Sequence, residues 1–335
     1  MQKETEHDVA FPYAQNEDYY SVSSITTAMD CLLKHWFKYN LHLQRDDSVH
    51  LTLGRCIHNA IAFYHEKIIT NKLTEPQIAS VFQIFDESWE KSIAEGNEVG
   101  KDSKEQEYFY HLGLLLIDRY LRGRSKIQDS KVLMYKDANM LNAKPAIELE
   151  FRVPIVDLKT GKSIIDKDLY GFIDLIEYDK KYGISIWDHK TASRDYSRFK
   201  ILTDIQLPLY AYVFRYLCSV GAFPELPANT REDGVGFNIM MKPNRNVRIV
   251  GIDHSKILTA KFKKTHIIIS DAELTGLFNI IKSVHHHIKE GEPYPSWGSD
   301  CSWKCPWNAE CIQYRNGTLN IVTDNKNREQ QELEL

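Results

Sequence analysis

The sequence predicts an α/β (α+β) fold in which a cluster of strands is set between helical stretches. Two runs of different hydrophobic period carry this expectation. Apolar residues recur at helical spacing as far as Leu121, and from Ala146 they alternate, as in the run AIELEFRVP. The third observation fixes the centre: residues 171–190, GFIDLIEYDKKYGISIWDHK, have the pattern of a β-hairpin around a polar turn closed by Gly183.

Taken in order, residues 1–20 are polar and acidic and are expected to be a loosely held terminus. A first helix runs from Ser23 or Ser24, either of which can cap it, to Tyr39. A second covers 54–69, with Ile57, Ile61, Tyr64 and Ile68 as its buried stripe and His58 at the edge of that stripe. Packing helices follow at 75–95 and 104–121. Residues 146–154 form a strand, the hairpin comes next, and 203–218 return to helix, with Pro208 near the start where proline is tolerated. Further strands are expected at 234–241, 247–252 and 265–269, then a final helix over 271–289. Its three histidines, 285–287, point in three directions and read as a solvated face. Residues 321–335 are a polar tail expected to be disordered. No repeat and no Gly/Ser or Pro-rich linker divides residues 21–320, which are expected to form one domain.

A hairpin symmetric about Lys181 pairs Tyr178 with Ile184, Ile176 with Ile186 and Asp174 with Asp188. Directly opposed residues have Cβ atoms about 4.5–5.5 Å apart, and like charges there repel. A shared cation removes that cost. Lys190 leaves the same face two residues beyond Asp188, so one ammonium stands beside two carboxylates that can bind metal. The competing expectation is a solvated pair with Lys190 as a plain ion partner. Apolar neighbours on the shared face weigh against it.

A net charge of −4 over 335 residues argues against general affinity for polyanions, so any such site must be a local basic groove. The runs 190–200, 242–248 and 261–264 are the candidates, although such runs are usually solvated faces. Nothing approaches the uninterrupted apolar length that spans a membrane, and no charged leader precedes an apolar run; a cytoplasmic, non-secreted protein is expected.

Six cysteines in a chain this long do not make a disulfide scaffold. Cys301, Cys305 and Cys311 lie together in SDCSWKCPWNAEC, a ligand signal one thiol short of the four that a zinc ion or a cubane cluster normally takes. Cys31, Cys56 and Cys218 are the available fourths, the last two reading better as core thiols. The absence of paired C-x2-C knuckles places iron–sulfur ahead of zinc.

These pieces, in this order, resemble the PD-(D/E)XK nuclease superfamily, and within it the RecB-like branch with an iron–sulfur cluster, which includes the AddB nuclease domain and the CRISPR-associated nucleases of spacer acquisition. The G-x3-H helix pattern falls on Gly54 and His58. G-x-x-D followed by D-x-K-T falls on Gly171, Asp174, Asp188, Lys190 and Thr191, and Q-x3-Y on Gln206 and Tyr210. The resemblance implies a restriction-endonuclease-like core with a mixed central sheet flanked by helices. It also implies Mg²⁺ or Mn²⁺ on His58, Asp174 and Asp188, and catalytic roles for Asp174, Asp188, Lys190, Gln206 and Tyr210. A [4Fe-4S] cluster on Cys31, Cys301, Cys305 and Cys311 follows from it as well. Two features depart from the pattern. Cys31 is followed by Leu32 rather than proline and an aromatic, and Gly-Phe-Ile precedes Asp174 where the superfamily's proline would stand.

The expected activity is metal-dependent hydrolysis of DNA, by an exonuclease on single strands or free ends, in replication, recombination or repair, with proteins of those processes as partners. Two readings from other classes stand beside it: a non-catalytic DNA-binding or assembly subunit of the same fold, and a zinc-stabilised interaction protein.

Overall fold

The computed structural model describes residues 18–43, 48–70, 75–124, 130–136, 140–243, 261–298, 301 and 305–319. The expectations for 1–17, 247–252 and 321–335 lie outside these residues. Strand β1 (Tyr19–Ser21) leads into α1 (Val22–Asp30), α2 (Leu32–His35) and a π-helical turn, Trp36–Asn40. Three long helices follow: α3 (Val49–Thr70), α4 (Glu75–Ala94) and α5 (Ser103–Arg124). Next come β2 (Lys131–Val132), a ribbon of β3 (Met134–Tyr135) and β4 (Lys144–Pro145), β5 (Ile147–Val156), β6 (Ser163–Asp179) and β7 (Gly183–Ala192). The chain continues through α6 (Arg198–Leu202), α7 (Gln206–Ser219), β8 (Gly234–Met241), β9 (Lys261–Lys264), α8 (Asp271–Glu290) and α9 (Asn308–Arg315).

The first helix is broken where periodicity predicted continuity. Ser21, not Ser23 or Ser24, caps α1, its hydroxyl accepting from Ser24 N at 3.0 Å. At Cys31 the backbone becomes extended (φ −166°, ψ 117°), and the thiol itself takes the N-cap position of α2, accepting from Lys34 N at 3.5 Å. A one-residue break barely disturbs the spacing of apolar side chains, so the pattern did not register it.

Strand β6 organises a seven-stranded mixed sheet. Its residues 163–175 pair antiparallel with β5 on one edge, which β2 continues at Glu177 and Tyr178. The other edge takes β1 in parallel at 168–170 and β7 antiparallel at 175–179. β7 pairs in parallel with β8, and β8 antiparallel with β9. On the second edge, residues 171–174 of β6 have no strand neighbour among the described residues, and Asp174 lies in that gap.

Helices flank both faces, and β8 shows the division. Ile239 joins the core under α7 and α8, with Leu209, Tyr212 and Phe214, while Met240 points into the core of α3, α4 and α5, with Leu53, Ile57, Phe85 and Leu116. Each buried Leu, Ile or Phe side chain contributes about 1.5–3 kcal/mol by leaving water, so the strongly alternating strands are held from both sides. Gly236 is required by close approach: a Cβ there would collide with the Thr265 carbonyl.

Three further expectations need correction. Residues 265–269 are not a strand; β8 pairs with Lys261–Lys264, and only an isolated bridge joins Ile267 to Val235. The 271–289 helix, found as α8, is not the last, because α9 follows it. Within the run 261–264, Lys264 does not belong to a solvated face. Alternation sends Lys263 outward to Asp195 (2.7 Å) and Lys264 inward, to Glu177 (3.3 Å) and to the face of Trp187, 3.9 Å from its ring centroid. Of the three histidines, His286 and His287 are exposed as expected. His285 is half-buried, within 3.0 Å of the Tyr20 hydroxyl and 3.2 Å of Asp166.

Candidate metal centre

The hairpin register is the one the sequence implies: Ile176 opposes Ile186 and Tyr178 opposes Ile184. Its turn closes at Gly183, whose φ of 69° suits a residue without a Cβ, and Asp179 Oδ1 accepts from Lys181 N and Tyr182 N at 2.8 Å. The ladder ends at Leu175–Trp187. Continuing it sets Asp174 across from Asp188, one pair beyond the last bonded one. There β7 turns to β8 alone, and the vacated position is filled by a side chain: Asp174 Oδ2 accepts from His189 N at 2.5 Å.

Three elements meet at Asp174. α3 brings His58, whose Nε2 donates to the His189 carbonyl at 2.9 Å and whose Nδ1 lies 3.6 Å from both Asp174 Oδ2 and Glu148 Oε1. β5 brings Glu148, at the residue where the strand departs from extended geometry (φ 43°). Potential ligand atoms of His58, Glu148 and Asp174 all lie within 4.8 Å of one another, the only such group of His, Cys, Asp or Glu among the described residues. Sequence reading missed Glu148. Its signal was AIELE, in which a carboxylate sits between apolar positions one strand away from Asp174.

Asp188 is 2% exposed and its Oδ2 is ion-paired with the Lys190 ammonium at 2.7 Å. The donors gathered here, carboxylate oxygens, a main-chain carbonyl and one imidazole, suit a hard divalent ion such as Mg²⁺ or Mn²⁺. Asp188 stands beside the His58–Glu148–Asp174 group rather than within it.

Charges follow from this crowding. Burial pushes the Asp174 carboxyl up, Asp188 and Glu148 push it further, and His58 and Lys190 pull back, leaving it at about 7. Burial alone would lower His58, but Asp174, Glu148 and Asp188 outweigh it and raise the imidazole to about 9. Lys190 loses solvation too, yet Asp188 and Asp174 hold it above its ordinary value, so it stays cationic. Gln206 and Tyr210 stand one turn apart on α7, and Gln206 Nε2 donates to the Tyr210 hydroxyl at 2.7 Å. Burial raises the phenol well above its ordinary value, and the charges of Asp188 and Asp174 add to that.

The four cysteines assigned to a cluster are all free thiols. Cys31, Cys305 and Cys311 border one small apolar core with Leu33, Trp36, Phe37 and Trp307. Cys31 accepts from Ser296 N and Cys301 from Gly298 N, both at 3.4 Å, and Cys301 reaches the Ser296 carbonyl at 3.5 Å. Their sulfurs do not form a group within the 4.8 Å that unites His58, Glu148 and Asp174. Cys56 and Cys218 are buried in the cores, as expected.

A mixed sheet carrying clustered carboxylates, a histidine and a lysine beside them makes this an α/β protein with a candidate metal site. The chain belongs to the PD-(D/E)XK nuclease superfamily, whose sequence model matches residues 19–312. It is similar to a crystal structure from Eubacterium rectale named "Putative exonuclease": 14% identity, TM-score 0.46, covering 92% of this chain and 93% of the other. It is also similar to the crystal structure of SSO0001: 11% identity, TM-score 0.29, 84% and 93% coverage. No curated protein matches the chain. No described helix is long and apolar enough to cross a membrane.

Proposed function

We propose that the protein is a Mg²⁺- or Mn²⁺-dependent deoxyribonuclease acting on single strands or free ends. The observation that supports it best is the meeting of His58, Glu148 and Asp174 next to the Asp188–Lys190 pair. His58, Asp174, Asp188 and the His189 carbonyl would hold the ion, with Glu148 joining them. When bound, the ion acidifies water and offsets charge on the phosphorane-like transition state. Lys190 orients the attacking water and donates to the phosphate oxygen that gains charge. Gln206, which donates to the Tyr210 hydroxyl, and Tyr210 position the strand or Lys190 from α7.

The same reading places the chain in the RecB-like branch, with cytoplasmic work on DNA in replication, recombination or repair. It assigns a [4Fe-4S] cluster to Cys31, Cys301, Cys305 and Cys311. Main-chain N–H groups directed at Cys31 and Cys301, and the aromatic shell, suit thiolate ligands, since amide hydrogen bonds and burial are what tune such clusters. By joining Cys31 to the C-terminal segment the cluster would close a very long loop around the sheet.

Digestion of 5′- and 3′-labelled single- and double-stranded DNA with Mg²⁺ or Mn²⁺ tests the activity. Metal-dependent cleavage abolished by Asp188→Asn is the expected result. Cleavage that survives this substitution would remove the catalytic assignment.

A further inference from the structure

Between β7, which ends two residues beyond Lys190, and α7, which begins with Gln206, the chain makes an exposed arch whose composition the metal centre does not explain. Its short helix α6 presents Phe199 at 76% exposure and Leu202 at 53%. Arg194 and Arg198 are exposed and form no ion pair with a carboxylate among the described residues. The arch's one acid before residue 204, Asp195, is already engaged by Lys263 at 2.7 Å. A chain of net charge −4 thus places uncompensated positive charge and a bare aromatic ring together, immediately downstream of Lys190.

The arch is also fixed to the site. Phe237 of β8 is the register partner of Asp188; Tyr196 packs edge-on against Phe237 at 5.3 Å, and Lys200 Nζ lies 3.5 Å above the Tyr196 ring. A path of packed side chains therefore runs from a proposed metal ligand to the cations of the arch. The charge of Lys190 is felt there, adding to the burial that lowers Lys200, against the pull of Asp204.

We propose that residues 193–202 form a platform for single-stranded nucleic acid, with Phe199 stacking on one base and Arg194, Arg198 and Lys200 holding the flanking phosphates. This rests on the nuclease reading and extends it to the strand state of the substrate. A ring standing clear of the surface stacks on an open base face, which single strands offer along their length and a paired duplex only at its ends. The cations supply backbone affinity without sequence preference.

The test is fluorescence-anisotropy binding of a labelled oligothymidylate to the full chain in EDTA, with a blunt duplex in parallel. Phe199→Ala is expected to weaken single-strand binding roughly 5- to 100-fold, the range for loss of one base–aromatic stack, and Phe199→Trp to restore it. Duplex binding is expected to stay unchanged. Arg194→Ala and Arg198→Ala should each flatten the slope of log K against log salt by about 0.7. Lys91→Ala, on the exposed surface of α4, should change neither. Single-strand affinity untouched by Phe199→Ala, equal losses on the duplex, or no binding by the unaltered chain would each overturn the platform. Because binding is read without cleavage, an inactive protein that still shows these losses would remove the nuclease reading and leave the platform standing.

Discussion

The main-chain N–H of His189 donates to Asp174 at 2.5 Å while the carbonyl of the same residue accepts from His58 at 2.9 Å. One residue of β7 thereby fixes a carboxylate of β6 and an imidazole of α3. Its own ring is buried, stacked at 6.1 Å on His65 and within 3.2 Å of the Asn238 amide, so the residue cannot readily rotate. Asp188 and Lys190 flank it, and their side chains inherit that rigidity.

Lys190 is the sharpest point of the catalytic assignment. Removing its ammonium should lower cleavage by about 10²–10³-fold, the usual consequence of losing one transition-state donor, while oligonucleotide binding in EDTA stays nearly unchanged. Lys190→Arg should remain impaired, since a planar fork cannot occupy the place of a compact ammonium 2.7 Å from Asp188. Cleavage within twofold of the unaltered protein in Lys190→Ala would remove Lys190 from the chemistry.

Glu148 carries a prediction that joins backbone to ligand. At φ 43° a residue with a side chain is strained by about 1–2 kcal/mol, which glycine avoids. Glu148→Gly should therefore be more stable than Glu148→Ala by about that amount in urea unfolding with EDTA, reversing the usual order within a strand. Both variants should bind Mn²⁺ at least about tenfold more weakly by electron paramagnetic resonance, a loss of the size expected when a metal site is disrupted. Glu150→Ala, two residues on and hydrogen-bonded outward to Tyr170, should keep full affinity.

Without metal, both titrating groups of the site hold protons that the unfolded chain would release. Asp174 is raised from 3.8 to about 7 and His58 from 6.5 to about 9. The folded state binds the extra protons across these two windows, so stability in EDTA should fall as pH rises from 4 to 9. Metal binding needs both protons gone, and apparent Mn²⁺ affinity should rise over the same range. Calorimetry at pH 7 in buffers of different ionisation enthalpy should show release of roughly one proton or more per ion. An uptake of protons would contradict the assigned ligands.

Much of the centre was legible because a hairpin's register is arithmetic: the turn at Gly183 and the alternation of Ile176, Ile184 and Ile186 leave one pairing that buries them. That Asp174 would sit in an edge gap between β1 and β7 was not legible, since it depends on two strands distant in sequence sharing one edge of β6. Glu148 was hidden for a related reason. Period-2 alternation marks it as an ordinary solvent-facing residue, and only the local reversal of φ turns it towards His58. The break at Cys31 and the inward turn of Lys264 likewise depend on partners the sequence does not place, Ser296 for one and Glu177 for the other.

Glu177 lies on the same strand as Asp174 but belongs to a structural charge cluster. Arg124 grips it through two 2.7 Å hydrogen bonds, Lys264 adds a third contact at 3.3 Å, and all three side chains are buried. Removing the shared carboxylate leaves two buried cations facing each other. Glu177→Ala should cost about 3–5 kcal/mol in urea unfolding. A loss under about 1 kcal/mol, as for an exposed pair, would mean that water reaches the cluster.

The cluster assignment separates the cysteines into two groups with opposite expectations. Cys31 and Cys311 border the Trp36–Trp307 core, whereas Cys56 is buried in the core of α3, α4 and α5, its thiol 3.7 Å from the Ser92 hydroxyl. Anaerobically purified protein should contain iron and acid-labile sulfide and be brown, and Cys31→Ser or Cys311→Ser should lose both colour and iron and lower the thermal stability of the protein. Cys56→Ser should keep the iron, its cost confined to a small polar change in the helical core. A colourless anaerobic protein holding one zinc per chain would replace the cluster with a zinc site on the same four thiols.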